Sequence, residues 1–162
     1  MLFRSDDPRV TRQIDLAREV FEQGIPSFGS CWGLQLMCAA VGGNVHLNPR
    51  GREFGIARTI ILTDEGREHP LYRDKDVAFD ALCSHEDEVA RLPACGRPLA
   101  RNAVSPIQAA ELADGDRSFW GVQYHPEFTF GILAALLDRR APQHLSEWRV
   151  ADAEQQIGRA HV

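Results

Sequence analysis

Cys31 stands in Gly29-Ser30-Cys31-Trp32-Gly33-Leu34-Gln35, between a short apolar run and a longer one. A thiol at such a strand-to-helix turn is lifted to the carboxyl edge of a sheet, and small neighbours permit the sharp bend. The same place sets Cys31 at a helix N-terminus, whose dipole and unpaired N–H groups favour thiolate over thiol. The backbone N–H of Trp32 is placed to help hold an oxyanion. This is equipment for covalent nucleophilic catalysis. The plainer reading is that an isolated cysteine is a small buried hydrophobe, and these residues alone leave both readings open.

A cysteine nucleophile needs a base, and the base needs a group that fixes its tautomer. Gly121-Val122-Gln123-Tyr124-His125-Pro126-Glu127-Phe128 offers both, because His125 and Glu127 lie two residues apart across a proline. That spacing can bring the two side chains to one side of a strand end. The remaining cysteines need no chemistry. Cys38, two turns along the helix from Cys31, reads as core, and Cys83 and Cys95 read as structural. There is no C-x-x-C pair and no Cys/His cluster with zinc spacing, so neither a metal nor another cofactor is expected. His46, His69 and His144 fit surface or packing roles.

The elements that must position these residues can be read from periodicity. Asp7 before Pro8 is a helix start, Val10, Ile14, Ala17 and Phe21 follow at helical spacing, and Gly24 ends the pattern. Ile25 to Gly29 is of strand type, and Trp32 to Val41 predicts a buried helix closed by Gly42-Gly43. Helix, strand, tight turn and helix in succession point to an α/β protein with a parallel sheet. Ile56–Leu62, Val77–Leu82, Leu99–Val104, Ile107–Leu112 and Phe119–Tyr124 are further strand candidates. Ala113-Asp114-Gly115-Asp116 is the clearest turn among them. Phe128, Ile132, Leu136 and Leu137 mark a closing helix, and the apolar pattern fades beyond Arg140.

Together the two motifs resemble those of the class I glutamine amidotransferases, G-x-C-x-G-x-Q followed late in the chain by G-V-Q-[FY]-H-P-E. Between them, Ser84-His85-Glu86-Asp87-Glu88-Val89 with Leu92-Pro93, Ser105-Pro106-Ile107-Gln108-Ala109-Ala110 and Glu53-Phe54-Gly55 resemble family segments in the right order. The resemblance runs from about Asp6 to Arg140. It implies a three-layer, mostly parallel, flavodoxin-like α/β fold. It also implies Cys31 as nucleophile, His125 as general base and acid, and Glu127 as its orienting partner. Trp32, Gly33 and Gln35 would shape the glutamine pocket, and the backbone at Ser84 and His85 would meet the substrate's α-amino and carboxylate ends. The implied activity is release of ammonia from the side chain of L-glutamine for an acceptor on a synthetase domain or another chain. The nearest likeness is to the amidotransferase domain of GMP synthetase and its freestanding relatives. Hydrolysis of another γ-glutamyl amide or peptide, and a non-catalytic regulatory homologue or inactive fragment, are the alternatives.

The family's domain begins with strands ahead of the first helix seen here, one of them ending in a glycine turn that supplies a second oxyanion donor. The expectation is therefore an N-terminally truncated domain over residues 6–140, with 141–156 as an extension. The tips 1–5 and 157–162 read as foreign. Leu2-Phe3-Arg4-Ser5 and Ile157-Gly158-Arg159-Ala160-His161 can be encoded by strings that are largely reverse complements, as an adapter read from both strands would be. Composition bounds the rest: 44% hydrophobic and 25% charged residues in 162 suit one globular domain. A net charge of -5 gives no reason to expect nucleic acid or an anionic membrane. With no apolar run of spanning length and no signal-peptide layout, the chain reads as cytoplasmic.

Overall fold

Local chemistry sets the first helix. In the computed structural model, which describes residue 3 and residues 6–144, α1 (Pro8–Glu22) is capped by Asp7, whose carboxylate accepts from the Arg9 N–H at 2.9 Å. Pro8 sits in the first turn, where a missing N–H costs nothing. Val10, Ile14 and Phe21 are buried from one stripe of this helix. β1 (Ser27–Ser30) and α2 (Trp32–Ala40) follow, and α2 buries Leu34, Met37, Cys38 and Ala40.

Beyond α2 the strands are β2 (Asn44–Leu47), β3 (Glu53–Leu62), β4 (Ala78–His85), β5 (Asp87–Arg91), β6 (Gly96–Arg101), β7 (Ala109–Asp114) and β8 (Arg117–Val122). A short helix, α3 (Asp64–Glu68), and a 3-10 turn at Pro70–Tyr72 link β3 to β4. Six strands form one sheet in the order β1-β8-β7-β6-β3-β4, while β2 and β5 pair separately. Periodicity missed that small pair, and β2 in particular is only four residues long and mostly exposed, so it carries little apolar signal.

The α/β class is as expected, but the sheet is mixed. Among the described residues β1 and β8 are parallel, and every other neighbouring pair is antiparallel. For β7 and β8, connection length is the cause. Asp114 pairs with Arg117, leaving Gly115-Asp116 as a two-residue link that can join only antiparallel strands, with Gly115 at φ 63°. β6 also ends earlier than its apolar pattern suggests. The Asn102 side chain accepts from the N–H groups of Val104 and Ser105, turning the chain out of the ladder.

Alternation along β7 sorts the core onto two faces. Ala110 and Leu112 pack with Phe21 of α1 and with Leu34, Met37 and Cys38 of α2. Ala109 points the other way, packing with Ala57, Ile60 and Leu62 of β3, Leu99 of β6, and Tyr72 and Tyr124. Helices thus cover one face, and the linker between β3 and β4 contributes to the other.

These elements belong to a unit running to Glu127, and a second unit begins at Phe128. In the latter, α4 (Phe130–His144) starts where Thr129 Oγ1 accepts from the Ile132 N–H. The expected 157–162 tip and most of the 141–156 extension lie outside the described residues, as does the 1–5 tip except Phe3. The Phe3 N–H donates to Asp87 Oδ2 at 2.6 Å, and its ring lies 5.4 Å from that of Trp32. No helix among the described residues is long and apolar enough to cross a membrane.

Candidate active site

Two glycines make the nucleophile's bend. In the β1–β8 pair Gly29 lies opposite Gly121, and the register ends on Ser30 opposite Val122. A Cβ on Gly29 would come within 2.8 Å of the Gly33 backbone, and one on Gly121 within 2.8 Å of Leu34. Only bare backbone at these positions lets α2 drop onto the strand pair directly after Cys31. Cys31 itself takes φ 48° and ψ -97°, a strained conformation for a residue with a side chain. Its N–H donates to the Val122 carbonyl at 2.7 Å, which holds it there.

Because β1 and β8 are parallel, the chain leaves both at the same sheet edge. Cys31 follows β1, and Tyr124 to Glu127 follow β8. The His125 N–H donates to the Leu82 carbonyl, which pins the segment across to β4. Its ring Nδ1 lies 2.6 Å from Glu127 Oε1, and the same oxygen accepts from Ser30 Oγ at 3.1 Å. Ser30 immediately precedes Cys31, so the two distant motifs meet through this carboxylate. Burial alone would raise the Glu127 carboxyl, but its bonds from His125, a backbone N–H and Ser30 hold it below the usual range.

Around the sulfur, Gln123 Nε2 donates at 3.5 Å and the Ser84 carbonyl lies at 4.0 Å. Burial pushes the Cys31 thiol up to about 11. The Trp32 N–H and Gln123 pull it down, while the negative charges of Glu127 and Asp87 push the same way as burial. The helix-terminus effect expected from sequence is present, but it is outweighed by desolvation. Cys38, by comparison, is pushed up to about 12 inside the core, in keeping with its place two turns along α2.

A second polar cluster lies behind the sulfur. Glu53, on β3, accepts from His85 Nε2 at 2.9 Å, Gln108 Nε2 at 2.7 Å and Asn102 Nδ2 at 2.5 Å. Burial opposes its charge, yet these three donors hold its carboxyl below the ordinary value. His85 Nδ1 lies 3.0 Å from the Asp87 carbonyl, which also accepts from Gln35 Nε2 at 2.8 Å. Glu53 and Gln108 were visible in sequence only as motif letters. A carboxylate followed by apolar residues was the signal, because a charge entering a core strand needs partners.

The sequence-selected residues therefore divide. Cys31, His125, Glu127, Trp32 and the Ser84 backbone converge at one edge. Gly33 faces open space, since a Cβ there would meet nothing within 4 Å. Gln35 and His85 are 2% and 5% exposed, and their side chains bond inward. Trp32 anchors its indole N–H on Gln13 Oε1 at 2.8 Å.

The family description Glutamine amidotransferase class-I matches residues 5–138. A gamma-glutamyl-L-1-hydroxyisopropylamide hydrolase from a Pseudomonas species is 42% identical over 75% of this chain and 42% of its own length. The glutamine-hydrolyzing GMP synthase of Nitrosomonas eutropha is 39% identical over 98% of this chain and 30% of its own. The chain thus spans less than half the length of these curated relatives. Among solved structures, a glutamine amidotransferase from Thermotoga maritima superposes with a TM-score of 0.74 at 17% identity, covering 94% of this chain and 66% of that one. A glutamine amido transferase from Methylobacillus flagellatus gives 0.70 at 21% identity, over 88% and 55% of the two chains. These two likenesses are of fold.

Proposed function

The chain belongs to the class I glutamine amidotransferase family, and on that premise we propose that it hydrolyses the side-chain amide of L-glutamine through a thioester on Cys31. His125 takes the thiol proton as the sulfur bonds to the amide carbon, and the Trp32 N–H donates toward the charge that develops on the amide oxygen. Collapse of that adduct expels ammonia, which carries the proton away from His125. Water, deprotonated by His125, then adds to the thioester carbon. The C–S bond breaks, glutamate leaves, and the thiol is restored. Glu127 holds Nδ1 and leaves proton transfer to Nε2. Gly33 and the Ser84 backbone line the approach to the sulfur, while Gln35 and His85 support it from within. The ammonia passes to an acceptor on a synthetase domain or partner chain, as the kinship to glutamine-hydrolyzing GMP synthase suggests.

The single observation that carries this reading is the Ser30–Glu127–His125 chain of contacts, which joins the elbow to the base. A second reading has a specific support: the relative named for a γ-glutamyl alkylamide is 42% identical. The same triad would cleave that amide with an amine in place of ammonia. The test is glutamate release from L-glutamine and from a γ-glutamyl alkylamide, for the wild type, Cys31→Ala and His125→Ala. Release from glutamine that both variants lose supports the proposal. Release from the alkylamide alone selects the second reading, and turnover that survives in Cys31→Ala sinks both.

A further inference from the structure

Gln123 is wholly buried, yet its side chain reaches the reactive sulfur. Buried amides keep hydrogen-bond partners for both ends, so the direction of this one can be worked out. The Asp87 carbonyl can only accept, so the Gln35 atom at 2.8 Å from it must be the amide nitrogen. The other hydrogen of that nitrogen points at Gln123, 3.2 Å away, so the Gln123 atom there must be the oxygen. That leaves the Gln123 NH₂ facing Cys31 Sγ. The backbone agrees with this fixity, because the Gln123 N–H donates to the Gln108 carbonyl at 2.8 Å, at the end of β8.

We propose that Gln123 is a dedicated donor to the Cys31 sulfur, aimed by Gln35, that favours the thiolate over the thiol in the reaction assigned above. An N–H bonded to an anion is about twice as strong as one bonded to a neutral acceptor. The contact therefore tightens whenever the sulfur carries charge, on forming the thiolate and again when the thioester releases it. The need for such a donor is clear from the surroundings. Glu127 beyond β8 and Asp87 on β5 both oppose charge on the sulfur, and Cys83 on β4 is a further titratable neighbour. His85, bonded to Glu53, acts on Asp87, as does Glu86, and His125 has its Nδ1 engaged with Glu127. Gln123 is neutral, so it can serve the sulfur without adding a proton that titrates.

The test reads the sulfur without needing turnover, so it can fail separately from the glutaminase assignment. Alkylation of Cys31 by iodoacetamide, followed by peptide mass spectrometry between pH 7 and 9, compares the wild type with Gln123→Glu and Gln123→Met. Gln123→Met removes the donor at similar length and volume, while Gln123→Glu keeps an acceptor for Gln35 and, when ionised, sets a charge against the sulfur. Losing a bond to a charged group lowers the thiolate fraction about tenfold or more, partly offset by greater thiolate nucleophilicity. The expected result is a rate about threefold lower at each pH in Gln123→Met and lower still in Gln123→Glu, with unfolding still cooperative. Gln35→Met, which frees the Gln123 amide to turn, should lower the rate by a smaller factor. A purely structural role would change stability and leave the alkylation profile in place, which would overturn the proposal. If the Gln123 variants do not fold, the side-chain amide resonances of Gln123 decide. They should move in Cys31→Ala, and resonances unchanged there would also overturn it.

Discussion

At the residue scale the site combines two kinds of glycine. Gly29 and Gly121 are required by close approach, since a Cβ on either would run into α2 or its side chains. Gly33 is different, because nothing in the fold stands where its Cβ would go. Glycine in a helix costs about 0.5–1 kcal/mol relative to alanine. A helical glycine beside a strained nucleophile, kept despite that cost, is best explained by what approaches it from outside. Gly33→Ala should therefore raise the thermal midpoint slightly while raising KM for glutamine severalfold. Thermal unfolding and steady-state kinetics on one preparation would check this, and an unchanged KM would remove Gly33 from the substrate face.

At the element scale, the ends of β3, β4 and β6 are tied together by a buried carboxylate. Glu53 on β3 accepts from His85 on β4, from Asn102 just past β6 and from Gln108 just before β7. Its carboxyl titrates below its ordinary value in the folded chain, so folding favours the charged form. The sign follows from linkage. The contribution is present in full above the unfolded value of about 4.3 and is lost as pH falls through the lower folded value. Glu53→Gln should cost about 3 kcal/mol at neutral pH, because donors built around a charge lose it. The same variant should show a flatter fall in stability below about pH 4. Denaturant titrations at pH 7 and pH 3.5 would measure both. Equal losses at the two pH values would show that the cluster works by packing rather than by charge.

At the scale of the whole molecule, the strand that carries the nucleophile is also an edge. Among the described residues β1 hydrogen-bonds to β8 alone, and Phe28 on it is 52% exposed. Ile25, just before β1, and Leu16, on α1, are also exposed. An open edge with apolar side chains invites pairing with another strand. The 162-residue chain should therefore self-associate at micromolar concentration, and Phe28→Lys should restore the monomer. Light scattering across a concentration series would read the change. A wild-type chain that stays monomeric would show that this edge is covered.

Much of this was legible in the residues themselves. Asp7-Pro8 announced α1, the apolar run after Cys31 announced α2, and Gly115-Asp116 announced the hairpin, because caps, stripes and two-residue turns are local chemistry. The elbow and the His-Pro-Glu segment could be picked out for the same reason: their residue types and spacing are local. What sequence could not supply was anything decided by contacts distant along the chain. The mixed sheet, the inward turn of Gln35 and His85 and the direction of the Gln123 amide all depend on which carbonyls and side chains other strands bring near. The thiol of Cys31 makes the point most plainly. Its helix terminus argued for a thiolate, and that effect is there. Burial by parts of the chain distant in sequence outweighs it and pushes the thiol up to about 11.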